Sequence, residues 1–365
     1  MVVNDEAVLT ELRGRGHQAF MIGAEYTPDL RDAEVIVCGN HTDAKEAMLA
    51  LQKRGIPDFR LSYIDSGTAD GAIKHFYWDD AVTLDDIPAD ADFETYATGI
   101  GFLDKNLGWG WRLPELCVMA GPYGCGKSTI AQILAACFVN GAGRKIGSGA
   151  LICSWEDLDA EVKRNFGLFG KAHNAPDMGK LVSFVRRPPD LDRLMSWYMD
   201  LVTYYVRRYN VRFFVLDPWN EMDHQKTSAA QSETDYVRDM MKEFRRLVDK
   251  LGIILIIATH VPAKLIRGDG SLEPFKIAQA FGSVQFGNKA DRGICVIRTK
   301  RLPSQEDDAE PIVNEKGYAI IRLDKAKIER KMGKKGTVAC RLNADKFLLE
   351  YDSYATSCVE ELWRD

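Results

Sequence analysis

Between residues 115 and 298 the chain repeats one device five times: a short run of almost wholly apolar residues, near 115–120, 149–154, 212–217, 253–259 and 292–298. Runs of this kind suit strands covered on both faces, the situation inside a parallel sheet. Longer helical patterns separate them, so the strands are joined by crossovers. The alternation predicts an α/β fold, a mainly parallel sheet wrapped by helices, with β-rich material from Ala319 to the end.

The residues ahead of this region read as a smaller α/β unit. A strand is expected at Ala33–Cys38, an amphipathic helix from Asp43 to Arg54 with Ala47, Met48 and Leu51 on one side, and a second strand at Phe59–Ile64 after Pro57. From Asp79 to Asp92 the composition turns acidic, which reads as a solvated linker or exposed face. The expected domains are therefore 1–78, a linker and interface segment at 79–110, and a large domain at 111–365.

Composition narrows the function classes. With 46% hydrophobic and 28% charged residues in 365, the chain has the make-up of an ordinary globular protein. No apolar stretch approaches the length of a membrane span, and Met1–Glu6 has neither a basic flank nor an apolar core, so a cytoplasmic location and no membrane partner are expected. The eight cysteines are scattered without a C-x-x-C pair, which argues against structural zinc. A net charge of −5 gives no global attraction to nucleic acid, so any such contact requires a local basic patch.

The first apolar run leads straight into Gly121-Pro122-Tyr123-Gly124-Cys125-Gly126-Lys127-Ser128-Thr129, and a helical pattern, Ile130 to Val139, follows. This is G-x-x-x-x-G-K-[ST] between a strand and a helix, the context in which it cradles phosphate. The glycines let successive N–H groups point at phosphate oxygens, and the helix N-terminus adds its positive dipole end. Lys127 is placed for the β and γ phosphates and the Ser128 hydroxyl for Mg²⁺, so ATP and Mg²⁺ are the expected cofactors.

Three later runs end in polar residues. Ala150–Ser154 leads to Trp155-Glu156-Asp157, Phe213–Leu216 closes on Asp217, and Ile253–Thr259 closes on His260. In a parallel sheet these residues share the edge where ligands of open α/β sheets bind. Glu156 suits the group that orients the attacking water, with Glu221 as the alternative base, and Asp217 suits a holder of Mg²⁺.

The ordered set "GPYGCGKST", "ICSWED", "FFVLDPWNEMDH", "IIATHVPAK", "GSVQFGNKADRGICVIR" and "KIERKMGKKGTV" resembles the RecA-fold motor domain of the DnaB-like hexameric replicative helicases, in the Twinkle and phage primase-helicase branch. The resemblance covers roughly residues 95 to 352. It implies Lys127 and Ser128 as the Walker A pair, Glu156 as catalytic glutamate, Asp217 as Walker B aspartate and His260 as a sensor. It further implies a DNA-facing loop containing Gln285, Asn288 and Lys289, and Arg330 as an arginine finger acting on a neighbouring subunit. Members usually carry Lys-x-Arg at the finger, whereas here Ile328 stands two before Arg330, and Lys325 and Lys327 are left as alternatives for the companion.

Lys325, Lys327, Arg330, Lys331, Lys334 and Lys335 crowd together with only Glu329 against them, an electropositive stretch suited to phosphate. The N-terminal "AEVIVCGNHTDAKEAMLALQKRG" is similar to a toprim strand and helix, but Asn40-His41-Thr42-Asp43 replaces the metal-binding Asp-x-Asp, which disfavours primase chemistry. The expected function is an ATP-dependent helicase or translocase on single-stranded DNA, a homo-oligomeric ring of about six subunits moving 5′ to 3′ by family resemblance. A RecA- or RadA-like recombinase, which would form filaments, and a regulatory P-loop ATPase indifferent to DNA are the alternatives.

Overall fold

A computed structural model divides the chain into two compact units, Met1–Asp92 and Phe93–Asp365. It describes five strands of the first unit and, from residue 95 onward, everything except 186–194, 224–231, 263–274, 281–282, 303–311 and 363–365.

The first unit contains β1 (Val2–Val3), β2 (Phe20–Met21), β3 (Glu34–Cys38), β4 (Arg60–Ile64) and β5 (Ile73–Phe76), ordered β2-β1-β3-β4-β5. The pairings are parallel except for β4 with β5. Both strands expected here are present. The helix expected at Asp43 to Arg54 and the acidic run to Asp92 lie outside the described residues.

The second unit begins with a small antiparallel pair, β6 (Thr95–Ala97) and β7 (Gly110–Arg112), enclosing the helix Gly101–Asn106. Its main sheet has nine strands: β8 (Glu115–Ala120), β9 (Ala150–Ser154), β10 (Val182–Val185), β11 (Phe213–Asp217), β12 (Ile254–Thr259), β13 (Arg292–Leu302), β14 (Ile312–Ala326), β15 (Gly336–Asn343) and β16 (Leu348–Tyr351). The order is β10-β9-β11-β12-β8-β13-β14-β15-β16. From β10 to β13 every pairing is parallel, and from β13 to β16 every pairing is antiparallel.

The apolar runs form strands because each of their faces meets a different core. Leu116, Val118 and Ala120 of β8 join one cluster with Leu151, Phe214, Leu255 and the aromatic face of the helix Glu233–Leu251. Cys117 and Met119 join the opposite cluster with Ile152, Phe213, Ile256 and the helix Lys127–Phe138. Every residue of β8, β9, β11 and β12 is buried, so none of these strands shows the alternation of a half-exposed sheet.

Three expectations need correction. The helix after the glycine loop starts at Lys127 rather than Ile130, and continues into a π-helical turn, Val139–Gly143. The chain end is not all β: Ser353–Leu362 is a helix, with Ala355 and Val359 in the core. The segment expected as a DNA-facing loop folds, from Gln285 to Lys289, as a short helix, because buried Phe286 anchors it edge-on against Trp219 at 5.3 Å.

Two charged residues fasten the sheet at the end where β8 and β13 begin. Asp291 accepts from the Leu116 N–H at 2.9 Å and pairs with Arg245 from the helix Glu233–Leu251. Arg292, fully buried, pairs with Glu115 and donates to the carbonyls of Met332 and Gly110, each at 2.6 Å. Its guanidinium lies 4.7 Å from the ring centroid of Trp109 and 5.4 Å from that of Trp111. Burying both charges is tolerable because each is met by ion pairs or hydrogen bonds.

Candidate nucleotide site

β8 delivers the chain to the glycine loop at the carboxyl edge of the sheet. Gly121 donates to Thr259 O of β12 at 3.2 Å, and a Cβ at this position would stand 2.4 Å from Val296 O, so only glycine lets the loop leave the sheet here. Gly126, at φ 94°, turns the backbone into the helix that starts at Lys127. Gly124 has φ 70°, and Cys125 N closes the loop by donating to Pro122 O at 3.4 Å. Burial pushes the Cys125 thiol up from its ordinary value, which keeps it protonated and inert.

Lys127 is buried, with its ammonium held over the loop. It donates to Gly121 O at 3.0 Å and Pro122 O at 2.9 Å, and lies 3.2 Å from His260 Nδ1. A lysine can only donate, so Nδ1 accepts and the imidazole proton sits on Nε2. Nε2 faces Glu156 Oε1 at 3.7 Å. Burial, and then the Lys127 charge, hold the His260 pKa below its ordinary 6.5, in keeping with a neutral ring.

Glu156 lies just past β9, where Trp155 N donates to Asp217 O at 3.1 Å and fixes the departure of the chain. Its pKa is raised, first by burial and then by the nearby charges of Glu221 and Asp157, against the pull of Lys127. A carboxylate with raised basicity beside the lysine suits the role of water-orienting base. Glu221, in the short helix Trp219–Glu221, stands close enough to act electrostatically on both Glu156 and His260.

Asp217 ends β11 deep in the site. It takes a hydrogen bond from Ser128, but Oδ1 is buried without a partner, and burial pushes the acid up to about 7. A buried acceptor next to the Ser128 hydroxyl is what a divalent cation would satisfy, and with Lys127 it makes a donor set that fits Mg²⁺ and a polyphosphate. Among the described residues no cluster of three or more His, Cys, Asp or Glu could cage a metal. The phosphate oxygens would have to supply the remaining ligands.

The site brings Lys127, Ser128, Glu156, Asp217 and His260 together, and the residues supporting them were not legible in the sequence. Asn220 Oδ1 accepts from both His260 N and Thr259 Oγ1 at 3.2 Å, holding the end of β12. Asp157 accepts from Ser154 Oγ at 2.8 Å and Gln132 Nε2 at 2.7 Å, joining β9 to the helix of the glycine loop. Their signal was adjacency alone, since Asn220 lies three past Asp217 and Asp157 follows Glu156. Thr129 sits half-buried in the first turn of the loop helix.

The remaining expected residues lie on other elements. Asn288 and Lys289 are exposed and Gln285 is half-buried on the helix Gln285–Lys289. Arg330 belongs to the short helix Glu329–Met332. Of the two lysines left as alternative companions, Lys325 is turned inward, donating to the carbonyls of Gly287 and Asn288, and Lys327 lies 3.6 Å from Asp291 Oδ1.

A mostly parallel sheet with a phosphate loop after its central strand and acids at the neighbouring strand ends defines a RecA-like P-loop ATPase core. Comparison with known proteins agrees. A family model described as an AAA domain matches residues 91–264. The Twinkle homolog protein, chloroplastic/mitochondrial, of Arabidopsis thaliana is 34% identical over 113 residues, covering 30% of this chain and 15% of that protein. A solved structure of an ATPase domain superposes with a TM-score of 0.53 at 14% identity, covering 73% of this chain and 94% of that one. A DnaB-like replicative helicase, solved together with its interactions with primase, gives 0.53 at 14% identity over 72% and 64%. At that identity the two structures speak for the fold.

Together these likenesses show the fold of the second unit, a RecA-like ATPase core similar to those of the DnaB-like helicase structures. The matched segment spans 15% of the plant relative's length. The expected cytoplasmic location is overturned, because that relative is described as chloroplastic/mitochondrial. The expectation rested on the lack of a span-length apolar stretch and on the residues Met1–Glu6, and neither determines the compartment. No described helix is long and apolar enough to cross a membrane.

Proposed function

We propose that this protein is an ATP-driven translocase and helicase acting on single-stranded DNA, working as a ring of about six copies with 5′ to 3′ polarity. The observation that carries the reading is the link between the nucleotide edge and the exposed polar helix. Phe286 of Gln285–Lys289 packs on Trp219, which follows Asp217 by two residues and adjoins Asn220, the anchor of His260. A change at the phosphates therefore has a short packed route to Asn288 and Lys289.

The chain's own residues divide the chemistry. Lys127, released from the carbonyls of Gly121 and Pro122, would neutralise charge on the transferred phosphoryl group, and Glu156 would orient water in line with it. Ser128 and Asp217 would hold Mg²⁺, which when bound supplies charge neutralisation between the β and γ phosphates. His260, hydrogen-bonded to Lys127 and facing Glu156, would sense whether the phosphate is present. Arg330 would act on the neighbouring copy, and Gln285, Asn288 and Lys289 would touch the DNA backbone. Residues 1–78 are read as an auxiliary α/β module without primase chemistry, because the Asp-x-Asp is missing.

The test is ATP hydrolysis with and without single-stranded DNA at two salt concentrations, with unwinding of forked substrates bearing one free 5′ or 3′ tail. DNA-accelerated, salt-sensitive hydrolysis and unwinding from the 5′ tail support the proposal. Hydrolysis indifferent to DNA would point to a regulatory ATPase, and filaments in negative stain to a recombinase.

A further inference from the structure

We infer, resting on the DNA reading above, that Lys325 is a positioning residue that clamps the strand leading to Arg330 onto the helix Gln285–Lys289, and thereby couples DNA contact to ATP turnover. Lys325 is the penultimate residue of β14, and its half-buried ammonium donates to Gly287 O at 2.7 Å and Asn288 O at 3.1 Å. These carbonyls belong to the last turn of a five-residue helix, where no following helical N–H can satisfy them. A cation there completes their hydrogen bonding and complements the dipole of the helix end.

The attachment is continued by the backbone. Lys327 N donates to Asp291 O at 2.9 Å, so the chain leaving β14 grips the segment beyond the helix as well. Three residues later comes Arg330, and Met332 O of the same turn accepts from buried Arg292. The helix Gln285–Lys289 thus has two fixed attachments: Phe286 against Trp219, toward the site of His260, and Lys325 with Lys327, toward Arg330. Between them Asn288 and Lys289 face outward. A lysine spent in this way is not available to accompany Arg330 to a phosphate across an interface. Its work is inside its own chain.

Lys325 touches none of Lys127, Ser128, Glu156, Asp217 or His260, so its loss leaves the nucleotide edge intact and removes only the tie between the two attachments. A coupling of this kind is worth about 5-fold to 150-fold in the response of one site to the other. The experiment compares the unsubstituted 365-residue chain with Lys325→Met, Lys325→Arg and Lys289→Ala, measuring affinity for single-stranded DNA and hydrolysis with and without it. In Lys325→Met, DNA-free hydrolysis and DNA affinity are expected within about twofold of the parent, while stimulation by DNA falls at least ~5-fold. Lys325→Arg, which keeps donors at the same carbonyls, should restore most of the stimulation, a rescue that a loss of folding in the methionine variant would not mimic.

Normal stimulation in Lys325→Met, with Lys289→Ala weakened for DNA, overturns the coupling and leaves the DNA reading standing. Unchanged affinity in Lys289→Ala refutes the DNA reading itself and the coupling with it. Loss of DNA-free hydrolysis in both Lys325 variants would make Lys325 part of the hydrolytic machinery and would also overturn the inference.

Discussion

The Lys127 ammonium and Nδ1 of His260 lie 3.2 Å apart, a side-chain hydrogen bond that joins the phosphate loop after β8 to the polar end of β12. The contact fixes the imidazole tautomer and turns Nε2 toward Glu156, so three chemically distinct groups from three strand ends act as one unit.

Lys127→Ala should abolish hydrolysis, by at least ~10²-fold as for loss of a principal charge-stabilising donor, and weaken nucleotide binding. Turnover near the parent value, measured by phosphate release, would refute its role. Circular dichroism should show the fold retained, since among the described residues Lys127 bonds the loop's own carbonyls and His260 rather than an ion-pair partner.

The two candidate bases separate by substitution. Glu156→Gln should bind nucleotide and DNA yet hydrolyse ~10²- to 10⁴-fold more slowly, the contribution usual for a positioned base. Glu221→Gln should be much milder, because it is Glu156 that faces His260 Nε2 at 3.7 Å. Steady-state kinetics of the two variants, with the order reversed, would move the base to Glu221.

His260 supplies a pH signature. Its folded pKa is depressed below 6.5, so the unfolded chain binds more protons just below that value. Its contribution to stability is therefore complete above pH 6.5 and is lost as pH falls through the folded value. Urea denaturation between about pH 7.5 and 5.5 should show a steeper loss for the parent than for His260→Gln. Parallel profiles would place the neutral ring elsewhere.

On the proposed reading, Arg330→Ala should reduce hydrolysis by about 10³- to 10⁵-fold, the range for arginine fingers supplied across an interface. Mixed with Lys127→Ala under conditions where gel filtration shows subunit exchange, it should recover part of the activity through composite sites. Near-normal hydrolysis by Arg330→Ala alone would remove the finger assignment.

Arg292→Met should destabilise the second unit by about 3–5 kcal/mol, because it strands the buried Glu115 carboxylate without its partner. Replacing Glu115 by Leu in the same chain should recover much of the loss. Chemical denaturation of the single and double variants measures both.

How much of this was legible follows from which physical signals are local. The fully buried strands β8, β9, β11 and β12 announce themselves, because nothing but apolar residues survives between two cores. β10 did not: Val-Ser-Phe-Val at the sheet edge is only half-buried, too short and too mixed to stand out. The glycine loop was readable because its chemistry is contiguous in sequence. Asn220 was not, because its value lies in a backbone N–H forty residues away. Likewise Lys325 and Lys327 looked like free cations in sequence, and only the pairing of β14 with β13 reveals that both are turned to structural partners.

Asp291 and Arg292 do their fastening where β8 and β13 begin, at the far end of the strands from Ala120, Ser154, Asp217 and Thr259. The sheet thus keeps its buried ion pairs and its phosphate-loop edge at opposite ends of the same strands. Variants at the phosphate-loop edge should keep full thermal stability and lose turnover, whereas Arg292→Met should melt early and also loosen the turn that carries Arg330.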